Sequence, residues 1–340
     1  MSVEALAVDD PRWDELVDAS PEPDVYYRRG YCAAYEEGGH GRAVAVVTDG
    51  AVFPLLLRPL PFGEEGLDAA TPYGYGGVLA RRQGTVPGTA LRQLRDWCAT
   101  NGVVSCLLRL HPLVGGPAQL SGADASLVEI REHGPTTAVD PSRADPETGR
   151  LAGMSKGRKA DLTIALRELE LSWASDEDAQ EDFRGVYDQT MERLGAGEFY
   201  LFPPEYYRAL GRGLGDRFGV ALARREGDVV GAAIFLADRR FAHYHLSGTT
   251  DAGRELKAGT LLVHAGAEWA RERGCGLLHL GGGTSGADSL FAFKKSFGGE
   301  TYSYAFATLV AVPGRYEALV ARRGEEEAPP RPGFFPAYRA

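Results

Sequence analysis

Residues Leu277–Gly299 read LLHLGGGTSGADSLFAFKKSFGG, an apolar run followed by three glycines and then a short apolar and basic segment. The apolar run predicts a buried strand, and the glycines predict that the end of this strand lies close to another group. Asp288 is a good N-cap for the helix that should follow, and Gly298 is a good stop for it. The stretch therefore predicts a strand, a glycine-floored opening and a short helix in succession.

The short helix carries a lysine beside an apolar face. That face comprises the positions i, i+3 and i+7, namely Leu290, Phe293 and Phe297. Lys294 is the i+4 neighbour of Leu290, so its ammonium group should lie one turn past the glycines. A cation held there suits an anionic ligand or a developing oxyanion. The alternative is an ordinary strand–turn–helix whose lysine reaches out to solvent.

The composition is that of a globular protein with room for two domains. The chain has 340 residues, of which 44% are hydrophobic and 25% charged, and domains of about 150 residues are common. The four cysteines lack C-x-x-C spacing and lie in apolar segments, so we expect buried thiols in a reducing compartment and no zinc site. The sequence shows no signal peptide and no apolar run of about 20 residues, which predicts a cytoplasmic protein.

Charge argues against one class of function and leaves a related one open. The net charge of −10 argues against general nucleic-acid binding, because phosphate contact requires local positive charge. A localised contact with tRNA stays open, since basic residues cluster in Lys156–Arg167, in Arg208–Arg225 and at Lys294–Lys295. The alternative for each cluster is a solvated surface.

The predicted elements repeat along the chain. Helices, three antiparallel strands, a helix and a strand are expected before residue 113, and the same order recurs after residue 150. Pro54 lies in the second strand and predicts an edge or a bulge there. Aromatic residues at 334–338 predict that the C-terminal tail packs back on the body. The chain should therefore form two mixed α/β domains.

The pattern LGGG followed by D-S-L-F-x-F-K-x-x-F-G resembles the Fem-type branch of the GNAT superfamily, the peptidoglycan-bridge enzymes. The resemblance extends over nearly the whole chain, through the segments Pro72–Gly77, Arg109–Leu113, Met154–Leu166, Thr190–Arg193 and His243–Gly248. It implies an α/β fold of two tandem GNAT-like domains, each a mostly antiparallel central sheet flanked by helices. The domains would span residues 1–150 and 151–313, with the tail 314–340 packing on the first.

Fem-type enzymes take an amino acid from aminoacyl-tRNA and join it to an amine, so the resemblance implies a transferase that forms an amide bond. The sequence has no long charged heptad segment, so it resembles the compact members that lack a helical arm. Some compact members act on small metabolites in antibiotic pathways, so the expected acceptor is a small molecule or a peptide of cell-wall type. Charged tRNA would be the co-substrate, and neither a metal, a tightly bound cofactor nor membrane insertion is implied. We expect a monomer.

The resemblance also implies roles for individual residues. Lys294 and Tyr244 would act in catalysis, with Lys294 balancing the tetrahedral oxyanion or an acceptor phosphate. The residues implied to bind the acceptor or the ester are Tyr73, Tyr75, His111, Arg193, Gly281, Gly282, Gly283, Asp288 and Phe293. Those implied to contact tRNA are Lys156, Arg158, Lys159 and Lys295. The alternative for each residue is a structural role, in packing, capping or a solvated surface.

Two other classes of function stay open. An acyl-CoA-dependent N-acyltransferase needs a helix N-terminus that binds pyrophosphate, typically with the pattern R/Q-x-x-G-x-G/A. The corresponding turn here, Arg254–Thr260, keeps one glycine and lacks the flanking pair. The third class is a non-catalytic binding module on the same scaffold.

Overall fold

The computed structural model describes residues 3–121, 123–197, 200–283, 288–326 and 333–340. The chain divides into two compact units: unit 1 comprises Met1–His133 and Ser303–Ala340, and unit 2 comprises Gly134–Tyr302. These divisions differ from the predicted domain boundaries, because residues 134–150 belong to unit 2 and residues 303–313 to unit 1. The two domains at 1–150 and 151–313 stay a prediction.

The helices and strands follow the predicted alternation. In chain order they are β1 (Glu4–Ala7), α1 (Arg12–Ala19), α2 (Arg29–Glu37), β2 (Arg42–Val47), β3 (Ala51–Pro59), β4 (Leu67–Ala70), β5 (Leu79–Ala80), α3 (Gly88–Thr100), β6 (Val103–Arg109), β7 (Glu129–Val139), α4 (Lys156–Glu168), β8 (Glu170–Ala174), α5 (Glu177–Leu194), α6 (Pro204–Leu214), β9 (Phe218–Arg225), β10 (Asp228–Ala237), β11 (Phe241–Thr249), α7 (Asp251–Glu255), α8 (Ala258–Glu272), β12 (Leu277–Gly282), α9 (Ser289–Lys295), β13 (Glu300–Val310) and α10 (Pro313–Glu326).

Unit 1 is built on a mostly antiparallel sheet with the strand order β1-β2-β3-β4-β6-β13, and β5 pairs with β3. Strands β4 and β6 run parallel, and α3 lies between them in the chain. This helix buries the positions that its sequence places on one face, namely Ala90, Leu91, Leu94 and Cys98. They pack with the inward-facing residues of β2, β3 and β6 in one apolar core.

Unit 2 repeats this plan with the strand order β7-β12-β11-β10-β9-β8. Its parallel pair is β11 and β12, and α8 lies between these strands in the chain. Helix α8 is buried on most sides and packs very closely on the sheet, since a Cβ on Gly266 would lie 2.0 Å from the ring of Phe235. The two units confirm the predicted mixed α/β fold class with mostly antiparallel sheets.

Two details of the sheets differ from the sequence predictions. Strand β3 is not an edge strand, and its pairing with β2 has no bulge at Pro54, which lies opposite Ala45. Proline is tolerated there because β3 pairs with β5 over 51–52 and with β4 over 56–59 on its other side, so Pro54 falls between these two partners. Strand β7 was not expected, because seven of its 11 residues are charged, polar or glycine.

The C-terminal residues of the chain pack within unit 1. The ring of Tyr338 is fully buried, and its hydroxyl lies 2.8 Å from that of Ser105 on β6. Arg339 pairs with the buried carboxylate of Asp68. All four cysteines are buried free thiols, as expected. Within the described residues, no helix has both the length and the apolar character that crossing a membrane requires.

Candidate active site

The glycines at the end of β12 are held by the neighbouring strand β7. The register between the two strands shifts between His279 and Gly281, and Gly281 has a φ of 78°, a left-handed conformation that favours glycine. A Cβ on Gly282 would lie 2.7 Å from the carbonyl oxygen of Pro135. The close approach expected at this strand end is therefore to β7 itself. The predicted loop at 284–287 lies outside the described residues.

Helix α9 begins and ends close to the positions that its sequence predicts. The side chain of Asp288 accepts a hydrogen bond of 2.9 Å from the backbone N–H of Phe291, as an N-cap does. The helix ends at Lys295, and Gly298 follows with a φ of 89°. Asp288 is thus a structural cap in this structure, and its binding role stays a prediction.

The apolar face of α9 is shorter than predicted. Phe297 is fully buried and packs edge-on against Phe293, with ring centroids 5.2 Å apart. Leu290 is 39% exposed, so the prediction that it joins this face was wrong. The reason is that α9 contacts the core of unit 2 through its C-terminal turn, which carries Phe293 and is followed by Phe297.

Lys294 lies against the end of β12. Its Nζ donates a hydrogen bond of 2.8 Å to the carbonyl oxygen of Gly282. Removal from water lowers the pKa of Lys294 to about 8, while the charge of Asp288 acts in the opposite direction. An ammonium group has three N–H donors, and among the described residues Gly282 takes up one of them. As expected, the ammonium group of Lys294 lies beside a glycine at the end of β12.

The basic residues of the proposed tRNA contact differ in how freely their side chains can reach a ligand. Lys156 and Lys159 are exposed on the first two turns of α4. Lys295 is also exposed, but its Nζ donates a hydrogen bond of 2.5 Å to the carbonyl oxygen of Gly299, just past its own helix. For these exposed lysines, contact with tRNA stays a prediction.

Arg158 is held within unit 2. Its guanidinium lies 4.8 Å from the ring centroid of Phe293 and 6.0 Å from that of Phe297. Its Nη1 donates to the hydroxyl of Thr260 at 2.9 Å and lies 2.9 Å from the carboxylate of Asp161. The arginine therefore joins α4, α8 and α9, and it is less available to RNA than the neighbouring lysines.

The parallel strands of unit 2 separate beside Lys294. Strand β11 pairs with β12 from Phe241 to His243. Beyond that point β11 continues along β10, and β12 continues along β7 to Gly282. Past His243, the described residues of β11 and β12 no longer pair with each other. Lys294 contacts the end of β12, on one side of this separation.

Tyr244 follows His243, the last residue of β11 that pairs with β12. Its ring packs 5.4 Å from that of Phe235, and it reaches the same apolar core as Phe293. Burial raises the pKa of Tyr244 to about 12, and a hydrogen bond with Ser247 acts in the opposite direction. At neutral pH its hydroxyl therefore keeps its proton and can act as a hydrogen-bond donor.

The segment Thr190–Arg193 carries a T-x-x-R motif at the end of α5. Its first and last residues attach α5 to the end of β11. Arg193 donates to the carbonyl oxygen of Thr249 at 2.9 Å and pairs with Asp251 at 3.2 Å. The hydroxyl of Thr190 accepts a 3.0 Å hydrogen bond from the N–H of Thr249. A Cβ on Gly248 would lie 2.8 Å from that hydroxyl oxygen, so the helix and the strand approach closely here. The motif has a clear structural role, and binding by Arg193 stays a prediction.

Tyr73 and Tyr75 belong to unit 1 and are partly exposed. The carbonyl oxygen of Tyr73 accepts a hydrogen bond of 2.5 Å from the hydroxyl of Tyr31. The ring of Tyr75 lies 4.9 Å from that of Tyr304. Between them, Gly74 lacks a side chain because a Cβ there would lie 2.6 Å from the ring of Tyr26. The glycines of this segment thus allow a cluster of tyrosines to pack.

His111 is a fully buried residue of unit 1. Its Nδ1 accepts a hydrogen bond of 3.2 Å from the N–H of Leu113, so the ring proton is on Nε2. Nε2 lies 3.4 Å from the buried carboxylate of Asp24. These contacts describe a structural histidine, and its predicted contact with substrate would require the ring to be uncovered.

Two polar contacts were not predicted from the sequence: that of Asp24 with His111 and that of His245 with Tyr206. Asp24 lies far from His111 in the chain, and no local pattern links them. His245 lies 3.1 Å from the hydroxyl of Tyr206, and burial lowers the pKa of His245 to about 3, with a smaller contribution from His243. The alternation His243-Tyr244-His245 was the available signal for a polar strip along β11. At neutral pH the ring of His245 is uncharged.

Unit 2 therefore brings together part of the predicted site. Lys294, Gly282, Phe293 and Arg158 form connected contacts, and Tyr244 packs on the same core as Phe293. Arg193 lies at the far end of β11. The remaining predicted residues, Tyr73, Tyr75 and His111, lie in unit 1.

Comparison with known proteins agrees with this architecture. Residues 155–295 match the family of GNAT acetyltransferase domains. The structure of FemX superposes with a TM-score of 0.69 at 14% identity, over 93% of this chain and 99% of that one. No curated protein sequence matches the chain.

Two further solved structures share the fold. The C-terminal domain of a putative lysylphosphatidylglycerol synthetase from Agrobacterium fabrum has a TM-score of 0.57 at 15% identity, over 90% of this chain and 96% of that domain. A tandem GNAT protein from the clavulanic acid biosynthesis pathway has a TM-score of 0.54 at 13% identity, over 91% of this chain and 99% of that one. Residues 155–295 therefore resemble a GNAT acetyltransferase domain, and the chain as a whole shares its fold with these three structures.

Proposed function

We propose that the protein transfers an aminoacyl group from charged tRNA to the amine of a small-molecule or peptidyl acceptor. The observation that carries the proposal is the Lys294 ammonium group, held 2.8 Å from the Gly282 carbonyl oxygen where the parallel strands of unit 2 separate. An aminoacyl ester is already activated, so an enzyme mainly needs to position it and to stabilise charge. The arrangement at Lys294 supplies the charge.

The proposed reaction has one tetrahedral intermediate. The acceptor amine attacks the ester carbonyl, a C–N bond forms, and the carbonyl oxygen becomes an oxyanion. An N–H of Lys294 donates to this oxygen. Collapse breaks the C–O ester bond and releases the terminal ribose hydroxyl of tRNA, which takes up a proton. The attacking nitrogen loses its proton to solvent, to a substrate group or to a nearby side chain. The product is an amide.

The N-terminus of α8 supports tRNA over acyl-CoA as the donor. In an acyl-CoA enzyme this helix end needs exposed backbone N–H groups for pyrophosphate. Here the hydroxyl of Thr260 is bound by Arg158, and a Cβ on Gly259 would lie 3.6 Å from the ring of Phe293. The chain's own side chains therefore pack where a glycine-rich loop would leave space. Acyl-CoA stays the second candidate, because the family match of residues 155–295 is to acetyltransferase domains.

The other candidate residues differ in how accessible their side chains are to a substrate. Tyr73 and Tyr75 are partly exposed and would orient the acceptor, whereas the burial of His111 argues against a direct contact. Lys156 and Lys159 would contact tRNA phosphates. The proposed partners are charged tRNA and the acceptor, and the proposed oligomeric state is a monomer. Because charged tRNA is found in the cytoplasm, we propose that the reaction takes place there.

A single assay separates the three classes of function. Purified protein is incubated with total tRNA charged with labelled amino acids, together with cell-wall precursors and a metabolite extract, with and without RNase. A second arm contains acetyl-CoA and no RNA, and a third contains uncharged tRNA with free amino acids. We expect a labelled amide in the first arm alone, abolished by RNase. Product with acetyl-CoA alone would replace the proposal by acyl-CoA transfer, and product in no arm would favour a binding module.

A further inference from the structure

Arg158 contacts three helices of unit 2 at once. It extends from the first turn of α4, stacks on Phe293 in α9 at 4.8 Å, and donates to Thr260 at the start of α8 at 2.9 Å. The carboxylate of Asp161, one turn further along α4, lies 2.9 Å from the same Nη1 that donates to Thr260. A guanidinium can stack and donate in its plane simultaneously, which an ammonium group cannot do.

These contacts act on the immediate neighbour of Lys294. Phe293 precedes Lys294 in α9, a helix of seven residues that is too short to be stable without packing. A backbone hydrogen bond of 2.9 Å from Ser155 to Ser296 attaches the start of α4 to the end of α9. Beside it, a Cβ on Gly298 would lie 2.5 Å from the carbonyl carbon of Gly153. The end of α9 is therefore held in place by contacts with the start of α4 and the residues just before it.

We infer that Arg158 is a positioning residue, which fixes α9 so that the Lys294 ammonium group stays against the carbonyl oxygen of Gly282. This inference rests on the proposed function, in which Lys294 acts on the oxyanion. It replaces the predicted contact of Arg158 with tRNA, because the guanidinium stacks on Phe293 and its Nη1 is shared by Thr260 and Asp161. Within α4, the exposed residues Lys156 and Lys159 remain the proposed contacts with tRNA phosphates.

The first test needs no substrate. The chain contains five lysines, so the side-chain NMR signals of Lys294 can be assigned with a Lys294→Met variant and followed with pH. We expect a titration midpoint near pH 8 in the wild type and a clearly higher one in Arg158→Gln, since a released ammonium group regains water. Arg167→Gln is the matched control, because Arg167 lies on the same helix with a side chain that is 70% exposed. An unchanged midpoint in Arg158→Gln would overturn the inference.

The second test separates positioning from RNA contact. We expect Arg158→Gln to lower kcat at least tenfold while the affinity for total charged tRNA, measured by filter binding, changes less than twofold. Arg158→Lys should fail to restore kcat, because it keeps the charge and loses the stacked fork. A tenfold weaker affinity with an unchanged Lys294 midpoint would instead identify Arg158 as an RNA contact.

Two provisions keep the outcomes distinct. If Arg158→Gln does not fold, Thr260→Val removes one hydrogen bond of Arg158 at nearly constant shape, and it should shift the Lys294 midpoint in the same direction by a smaller amount. An unchanged midpoint in Thr260→Val would then contradict the inference. If the wild type shows no transfer from charged tRNA, the proposed function fails, and the NMR titration still decides whether Arg158 holds α9.

Discussion

The β12–α9 segment of unit 2 and the segments of unit 1 that carry Tyr73, Tyr75 and His111 all resemble the Fem-type pattern, yet they are built in different ways. In β12–α9 the glycines, the N-cap Asp288 and Lys294 belong to one continuous segment, and Lys294 contacts Gly282, 12 residues earlier in the chain. In unit 1, His111 depends on Asp24, which lies far away in the chain. Local sequence thus determines the first site, and distant partners determine the second.

This difference explains what each motif can tell about function. The short-range site places an ammonium group at a strand end, which is an arrangement suited to chemistry. The long-range site is closed by its own partners, because His111 and Asp24 are fully buried beneath tyrosine rings. A functional histidine and a structural one look alike in sequence, and only the partners distinguish them.

The largest effect is expected for Lys294→Met. Removing the donor to the oxyanion should lower turnover with charged tRNA by about 10²–10³-fold. The fold should persist, because the pKa of Lys294 is lower in the folded chain than in the unfolded one, so its ammonium form opposes folding at neutral pH. Single-turnover kinetics and thermal unfolding measure the two effects. Unchanged turnover would remove Lys294 from the mechanism.

Asp24→Ala should have the largest effect on stability. It removes the buried partner of His111 and the cap that accepts a 3.0 Å hydrogen bond from the N–H of Tyr26. We expect the free energy of unfolding to fall by about 3 kcal/mol. Asp24→Asn is the matched control, since asparagine can keep the cap, and it should lose less. Urea unfolding followed by circular dichroism provides the values. A variant as stable as the wild type would show that the buried pair does not support unit 1.

A pair of glycine substitutions tests whether the close contact of α5 with β11 limits what unit 2 tolerates at Gly248. Gly248→Ala places a Cβ 2.8 Å from both the Thr190 hydroxyl and the Val186 carbonyl oxygen, so it should lower the free energy of unfolding by about 1–3 kcal/mol. Gly185→Ala, in the exposed interior of α5 with no atom within 4 Å, should raise it by about 0.5–1 kcal/mol. The same urea titrations measure both. Equal effects of the two substitutions would contradict the close contact of α5 with β11.

Much of the fold follows from local patterns. Periodic apolar residues and turn residues predict most helices and strands, and Asp288 and Gly298 predict where α9 begins and ends. Strand β7 escaped prediction because its first residues are polar and partly exposed, so that its strand character comes from pairing with β12.

The candidate site was predictable only in part. The approach of Lys294 to Gly282 was expected from the succession of a strand, glycines and a short helix, whereas the stacking of Arg158 on Phe293 joins residues that no local pattern connects. A basic cluster in the sequence therefore predicted an RNA contact for Lys156, Arg158 and Lys159 alike, although their surroundings differ. Tertiary packing decides which cation is free to bind and which one supports its neighbours.

The pH dependence of single-turnover transfer from charged tRNA, corrected for spontaneous ester hydrolysis, tests the central claim most directly. Because burial lowers the pKa of Lys294 to about 8, its ammonium form predominates below that pH and declines progressively above it. The rate of the wild type relative to Lys294→Arg, which stays charged throughout, should fall about tenfold between pH 7.5 and 9. A ratio that stays constant or rises across this range would contradict a role for the ammonium group.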